Sequence, residues 1–162
     1  RQDLRGKRIF TIDPATAKDL DDAIHVDPVA GQNQVEIGVH IADVGHFLKP
    51  GSITDKEAQF RTTSVYLINR VLPMLPHGLC NHLCSLNPNE PKLSFSVFFR
   101  LDCATGDLVE DPPPWFAKTS MCSCCRMNYD EVQEVLDGKE VQEPAVYGGY
   151  EWDQIKKDLF TL

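Results

Sequence analysis

Residues 8–26 read RIFTIDPATAKDLDDAIHV, an acidic segment enclosed by two apolar ones. The run from Arg8 to Ile12 predicts a short strand that stops at Asp13-Pro14, because an aspartate followed by proline is typical of a turn. Ala23 to Val29 predicts the next strand. The acidic residues are therefore expected to lie between two elements of the core.

The aspartates of this segment have a spacing that suits a cation site. Asp19 and Asp21 are two positions apart, so in an extended backbone both project to the same side. The turn at Pro14 can bring Asp13 back towards Asp22. Packing like charges together is costly unless cations neutralise them, and hard carboxylate oxygens suit Mg²⁺ or Mn²⁺. Spacing alone favours metal-assisted phosphoryl chemistry only slightly over a solvated acidic loop.

A calcium-binding loop of the EF-hand type is excluded. Counted from Asp19, such a loop would need glycine at position 24 and glutamate at position 30. The chain has Ile24 and Ala30 there.

The histidines and cysteines predict structural roles. His40, Asp43 and His46 could form a metal triad, but His40 lies in an apolar run, where a hydrogen-bonded structural histidine is the commoner case. The cysteines occur in a chain without a secretion signal, so we expect reduced, buried thiols rather than a zinc site. They are Cys80, Cys84, Cys103, Cys122, Cys124 and Cys125.

The rest of the chain predicts an α+β fold, with a mixed, largely antiparallel sheet flanked by helices, because strands and helices mix without a strict βαβ rhythm. Further strands are predicted at 35–44 and 92–101, helices at 54–62, 75–83, 129–136 and from Trp152 onward, and a connecting loop at 139–149. Thr54 with Glu57 is expected to cap the first helix. Trp115 and Phe116 are expected to pack in the core.

Composition alone argues against a nucleic-acid binder. The chain has 162 residues and a net charge of −8, whereas phosphate contacts supply most of a nucleic-acid binder's affinity and usually require a basic protein. No stretch has the length of a membrane span. The chain starts on Arg1 and ends within an amphipathic pattern, so we expect a single domain, 1–162, that is a piece of a longer protein.

Four blocks of the sequence nevertheless resemble the signature of the RNase II/RNase R superfamily, the RNB-domain 3′→5′ exoribonucleases. The first is Asp13-x₅-Asp19-x-Asp21-Asp22. The others, in the same order and with similar gaps as in that family, are VHIADVGHF (39–47), TSVYL (63–67) with PMLP (73–76), and LCSLNP (83–88) with LSFSV (93–97). FTIDPATAKD (10–19) is most similar to the eukaryotic Dis-three-like exonuclease two branch.

The resemblance implies a role for each matching residue. Asp13, Asp19, Asp21 and Asp22 would hold Mg²⁺, or Mn²⁺, at the scissile phosphate, with Asp19 and Asp21 also catalytic. RNA would be hydrolysed to nucleoside 5′-monophosphates. Tyr66 matches the aromatic residue that stacks on a nucleotide near the 3′ end, although from the residues alone a core tyrosine would be the better guess. Arg61 and Arg70 could contact phosphate, although a lone arginine is more often a solvated surface residue.

The resemblance also implies the setting. The chain would be the N-terminal part of an RNB catalytic domain, monomeric and cytoplasmic, acting on single-stranded RNA 3′ ends that include uridine-rich ones, with no DNA or membrane partner. The family's domain is about twice as long and its second half adds a phosphate-binding arginine, so this piece is expected to be weak or inactive alone. The alternatives are a degenerate RNB-fold RNA-binding or regulatory scaffold, and a metal-stabilised structural domain.

Overall fold

Strands and short helices mix along the 162 residues that the computed structural model describes. The strands are β1 (Gln2–Asp3), β2 (Ile9–Asp13), β3 (Asp22–Pro28), β4 (Gln34–Ala42), β5 (Val65–Tyr66), β6 (Val71–Leu72), β7 (Pro91–Asp102) and β8 (Trp115–Asn128). The helices are α1 (Val44–Phe47), α2 (Ile53–Arg61), α3 (Tyr129–Leu136) and α4 (Trp152–Thr161), and a π-helical segment spans Gly78–Cys84. None of these helices has the length and apolar character needed to span a bilayer.

The main sheet closes on itself as a barrel. Its order is β1-β8-β2-β3-β4-β7, and β7 also pairs with β8. The pairings are antiparallel except that β8 runs parallel to β1 and β2. β5 and β6 form a separate hairpin. The prediction of an α+β fold with a largely antiparallel sheet is therefore confirmed.

Strand β2 is buried on both faces because it separates two cores. Ile9 is fully buried in the cluster on one face. The next residue, Phe10, is fully buried on the other, where it packs with residues of α3 and α4 such as Val135 and Ile155. The guanidinium of Arg8 donates to the buried carboxylate of Asp158 at 2.7 Å, which ties α4 to the start of the strand.

A hydrogen-bonded network of polar side chains, the polar network, crosses the barrel between neighbouring strands. The Nδ1 of His25 lies 2.8 Å from the Nε2 of His40, and the Nδ1 of His40 lies 2.7 Å from the Ser96 hydroxyl. Thr119 links that hydroxyl to Ser94, with oxygen–oxygen distances of 2.6 and 2.7 Å. All five side chains are fully buried. His40 is therefore a hydrogen-bonded structural residue, as predicted.

Two predicted helices differ from the structure in how they begin. Helix α2 is capped by Ser52, whose hydroxyl accepts from the Asp55 amide at 3.2 Å, so the prediction of a Thr54 cap is wrong. Thr54 lies inside the helix, where its hydroxyl cannot serve the first free amides. The helix predicted at 75–83 is instead a π-helical segment that starts at Gly78.

Strand β8 is the largest element that sequence periodicity missed. It runs without interruption from Trp115 to Asn128, a segment for which the sequence predicted no regular structure. Its alternation is obscured because β8 contacts both cores and several neighbours. Phe116 is 66% exposed and stacks only on exposed Phe95, so the prediction that it packs in the core is wrong. Trp115, by contrast, is half-buried against Phe98.

Gly38 should tolerate no side chain, because it faces His25 across the β3–β4 pair. A Cβ at this position would overlap the ring of His25 and lie 3.1 Å from the Nε2 of His40. We expect Gly38→Ala to lower the free energy of unfolding by about 3 kcal/mol, measured by urea denaturation. Gly6→Ala is the matched control, since no atom lies within 4 Å of its Cβ. Equal effects of the two substitutions would contradict the packing described.

The buried histidines should make the fold sensitive to acid. Burial lowers the pKa from the ordinary 6.5 to about 4 for His25 and about 3 for His40. Below about pH 6.5 the unfolded chain therefore binds more protons than the folded one, and stability falls as the pH falls towards 4. The expected slope is about 1.4 kcal/mol per histidine for each pH unit, measured from urea midpoints.

The exposed histidines supply the control for this acid sensitivity. His46 and His82 lie at the surface and outside the polar network. The double variant His46→Gln, His82→Gln should keep the slope of the parent. Loss of the slope in that variant would show that the surface histidines, and not the buried pair, cause it.

Candidate active site

Leu20 anchors the acidic loop between β2 and β3. Its side chain is fully buried in the cluster that contains Cys84 and Leu86. Its amide donates to the Ser85 hydroxyl at 3.0 Å, and its carbonyl accepts from the Leu86 amide at 2.8 Å. Because Leu20 points inward, its neighbours Asp19 and Asp21 are held at the rim of the core.

Two further contacts hold the loop from its sides. The Ala42 amide at the end of β4 donates to the Asp21 carbonyl at 2.9 Å. On the other side, the Arg126 guanidinium donates to the carbonyl of Ala17 at 2.7 Å and to that of Ala15 at 3.4 Å. Sequence reasoning did not find Arg126, because only the parallel pairing of β8 with β2 brings it to the loop.

Asp13 ends β2 on the strand face that also carries Ile9 and Thr11, which is the face turned into the barrel. It is 6% exposed, and its Oδ2 atom has no hydrogen-bond partner. Burial raises the pKa of this carboxyl, and the charge of Asp22 raises it further. Asp22 itself is the exposed first residue of β3. An orphaned, buried carboxylate oxygen at the mouth of the barrel is a position that a cation would stabilise.

Asp19, Asp21 and Tyr66 line one cavity of about 380 Å³. Its remaining wall is mostly apolar and includes Ile41 and Met74. Burial raises the pKa of Asp21, followed by the charges of Asp19 and Asp22. The charge of Asp19 is in turn the main cause of a raised pKa at Tyr66. Tyr66 is 69% exposed, so it is not a core tyrosine.

The carboxylates meet some but not all requirements of a metal site. All four oxygen-donor side chains lie along one loop, and Asp13 carries an unpaired buried oxygen. However, no group of three His, Cys, Asp or Glu side chains converges closely enough to hold a metal ion. Carboxylate oxygens are the donor type that Mg²⁺ takes, but these residues alone do not complete its shell; an ion held here would need water and substrate phosphate oxygens as further ligands. All six cysteines are free thiols.

The sequence model of the RNB domain family matches residues 1–162 of this chain. The chain belongs to the RNB domain family. It is 50% identical over 165 residues to DIS3-like exonuclease 2 of Schizosaccharomyces pombe, covering 100% of this chain and 17% of that protein. It is also 41% identical over 166 residues to a protein of Arabidopsis thaliana named as an inactive exonuclease DIS3L2, covering 100% of the chain and 15% of that protein.

Solved structures show the same fold for this RNB segment. Mycoplasma genitalium RNase R in complex with ribose methylated single-stranded RNA superimposes with a TM-score of 0.86 and 32% identity. That match covers 99% of this chain and 23% of the RNase R chain. The RNB segment thus spans about a sixth to a quarter of the proteins it resembles.

Holding the aspartates of the RNB site close together should lower the stability of the fold when no cation is present. Because the folded state raises the pKa of Asp21, ionising this carboxyl at neutral pH disfavours the folded state. We expect Asp21→Asn to raise the melting temperature in the presence of a chelator. Glu110→Gln, which neutralises an exposed carboxylate without a salt bridge, is the control and should leave it unchanged. A lower melting temperature for Asp21→Asn would contradict this description.

Proposed function

We propose that this RNB segment carries the acidic half of the active site of an Mg²⁺-dependent 3′→5′ exoribonuclease. Its substrate would be single-stranded RNA, including uridine-rich 3′ ends, and its products nucleoside 5′-monophosphates. The enzyme would act in the cytoplasm as a monomer. Family membership supports RNA degradation; metal dependence, direction, strand preference and location are parts of the proposal.

One observation carries this proposal. The cavity that contains Asp19 and Asp21 also contains the exposed ring of Tyr66. A nucleotide has an anionic phosphate that requires cations and an apolar base that stacks on aromatic rings. The chain therefore offers complementary groups for both parts of a nucleotide in adjoining positions.

The carboxylates would hold the ion and fix its place. Asp13, Asp19, Asp21 and Asp22 are the residues that would ligate Mg²⁺, which supplies charge stabilisation and an activated water for in-line hydrolysis when bound. Asp13 is rigid because it is buried at a strand end. Asp19 and Asp21 are fixed by Leu20 between them, so their carboxylates need little reorganisation on binding.

Tyr66 would position the 3′-terminal nucleotide. Its ring is exposed at the end of β5 and borders the same cavity as the two catalytic carboxylates. Stacking on an aromatic ring is worth about 1–3 kcal/mol per base and tolerates any base. The apolar walls near Ile41 and Met74 exclude water from the base, which suits an unpaired strand better than a duplex.

A degenerate scaffold is the rival function, and one relative that is named inactive shows that similarity alone does not decide between the two. The acid set favours the enzyme, because a scaffold is free to lose some of these aspartates and this chain has all four. A merely structural metal site is the second rival. A catalytic site should gain metal affinity when a substrate phosphate joins the shell, and a structural site should not.

Asp21→Asn tests the enzyme against both rivals. In the complete polypeptide with Mg²⁺, we expect this change to reduce hydrolysis of a single-stranded RNA by about a hundredfold or more while RNA affinity stays within about threefold. Glu110→Gln should leave the rate unchanged. Mg²⁺ titration of Asp21→Asn with and without RNA separates a loss of metal binding from a loss of chemistry. Equal rates for the parent and Asp21→Asn would overturn the role of this residue.

A further inference from the structure

A second and larger cavity adjoins the acidic loop. It measures about 570 Å³ and lies between the loop, the tip of the β5–β6 hairpin and the π-helical segment. Its polar lining is formed by Thr16, Lys18, Asp19, Asn69, Arg70, His77 and Asn81. Asp19 is shared with the cavity that contains Tyr66, so the two cavities meet at this carboxylate.

The cations of this cavity have no carboxylate partner. Lys18 and Arg70 form none of the salt bridges of the chain, although Asp and Glu number 24 against 16 Lys and Arg. Lys18 directly precedes Asp19 in the sequence but forms no salt bridge with it. In a protein with a net charge of −8, two unpaired cations in one cavity mark a place where an anion from outside is favoured.

The surrounding groups are those that recognise a phosphodiester. An arginine presents a planar fork of donors that fits phosphate oxygens, and a lysine adds a point charge. The side-chain amide of Asn81 lies 3.4 Å from the Nδ1 of His77, and Asn69 adds a second amide. These neutral donors and acceptors can reach ribose hydroxyls or base edges beside the phosphate.

We propose that this cavity binds the backbone phosphate next to the scissile one, with Lys18 and Arg70 as its ligands. The inference rests on the proposed function, because it places this phosphate on the same RNA strand. The position follows from Asp19, which lies at the junction of the two cavities. Asp19 would repel an anion by itself, so the phosphate enters this cavity most favourably when a cation neutralises the carboxylate.

This subsite explains how an acidic chain can hold RNA. Lys18 and Arg70 place two positive charges in one cavity beside the proposed reaction centre. Phosphate contacts fix the register of a strand without reading its sequence. Lys18 and Arg70 would thus be positioning residues, which set how far the 3′ end advances towards Asp19 and Asp21.

The test is the salt dependence of RNA binding by the complete polypeptide, measured with a short single-stranded RNA in the presence of Mg²⁺ and in an Asp21→Asn background, so that hydrolysis is suppressed while a cation can neutralise Asp19. The double variant Lys18→Gln, Arg70→Gln should bind about tenfold more weakly at low salt, and the slope of log affinity against log salt should fall by about 1. The matched control is Lys118→Gln, Lys157→Gln, which removes the same charge from exposed residues outside the cavity. It should change the slope far less.

Further variants and outcomes keep the two proposals separate. Arg70→Lys should keep the slope and lose part of the affinity, since a lysine retains the charge without the fork. Unchanged melting temperatures exclude unfolding as the cause. If the double variant and its control have the same slope while Asp21→Asn still abolishes hydrolysis, the subsite is wrong and the nuclease stands. If the folded parent neither binds nor hydrolyses RNA, the proposed function itself fails.

Discussion

The burial of Leu20 is the constraint on which the site depends. A loop with four aspartates would ordinarily extend into solvent, where its charges separate. Here one apolar residue in the middle of the acids is drawn completely into the core, and its backbone bonds to the segment Ser85–Leu86. Asp19 and Asp21, on either side of Leu20, are therefore held at the edge of the core. Hydrophobic burial thus supplies the free energy that keeps like charges close together.

The barrel interior imposes a second constraint on the same site. Beside apolar side chains such as Ile9 and Leu20, its interior holds a fully buried hydrogen-bonded network from His25 to Ser94. Such a network allows only one arrangement of β3, β4 and β7. Asp13 and Asp22 lie where β2 ends and β3 begins, so this rigidity is passed directly to the carboxylates.

Local patterns in the sequence were sufficient for four of the six strands of the main sheet, β2, β3, β4 and β7, and for placing the acidic segment between β2 and β3. The alternation in 92–101 and the apolar runs around the aspartates can be recognised in the sequence because each of these strands has one or two buried faces. Roles that depend on distant contacts were not accessible in this way. Arg126 is more than a hundred residues from the carbonyls it binds, and the cavity with Lys18 and Arg70 joins segments about fifty residues apart. The role of Tyr66 was predicted from its match to a family motif, since no feature of the neighbouring residues distinguishes it from a core tyrosine.

Closure of the barrel has a consequence for how the protein is made. Strand β2 pairs on one side with β3, the next strand of the chain, but on the other side with residues 123–128 of β8. During synthesis the edge of β2 that carries Asp13 therefore remains open until the ribosome has released those residues. Long-range closure of this kind slows folding, and an open strand edge can pair with another chain. The acidic loop that follows β2 places like charges at the end of that open edge, where they disfavour pairing with another copy of the chain.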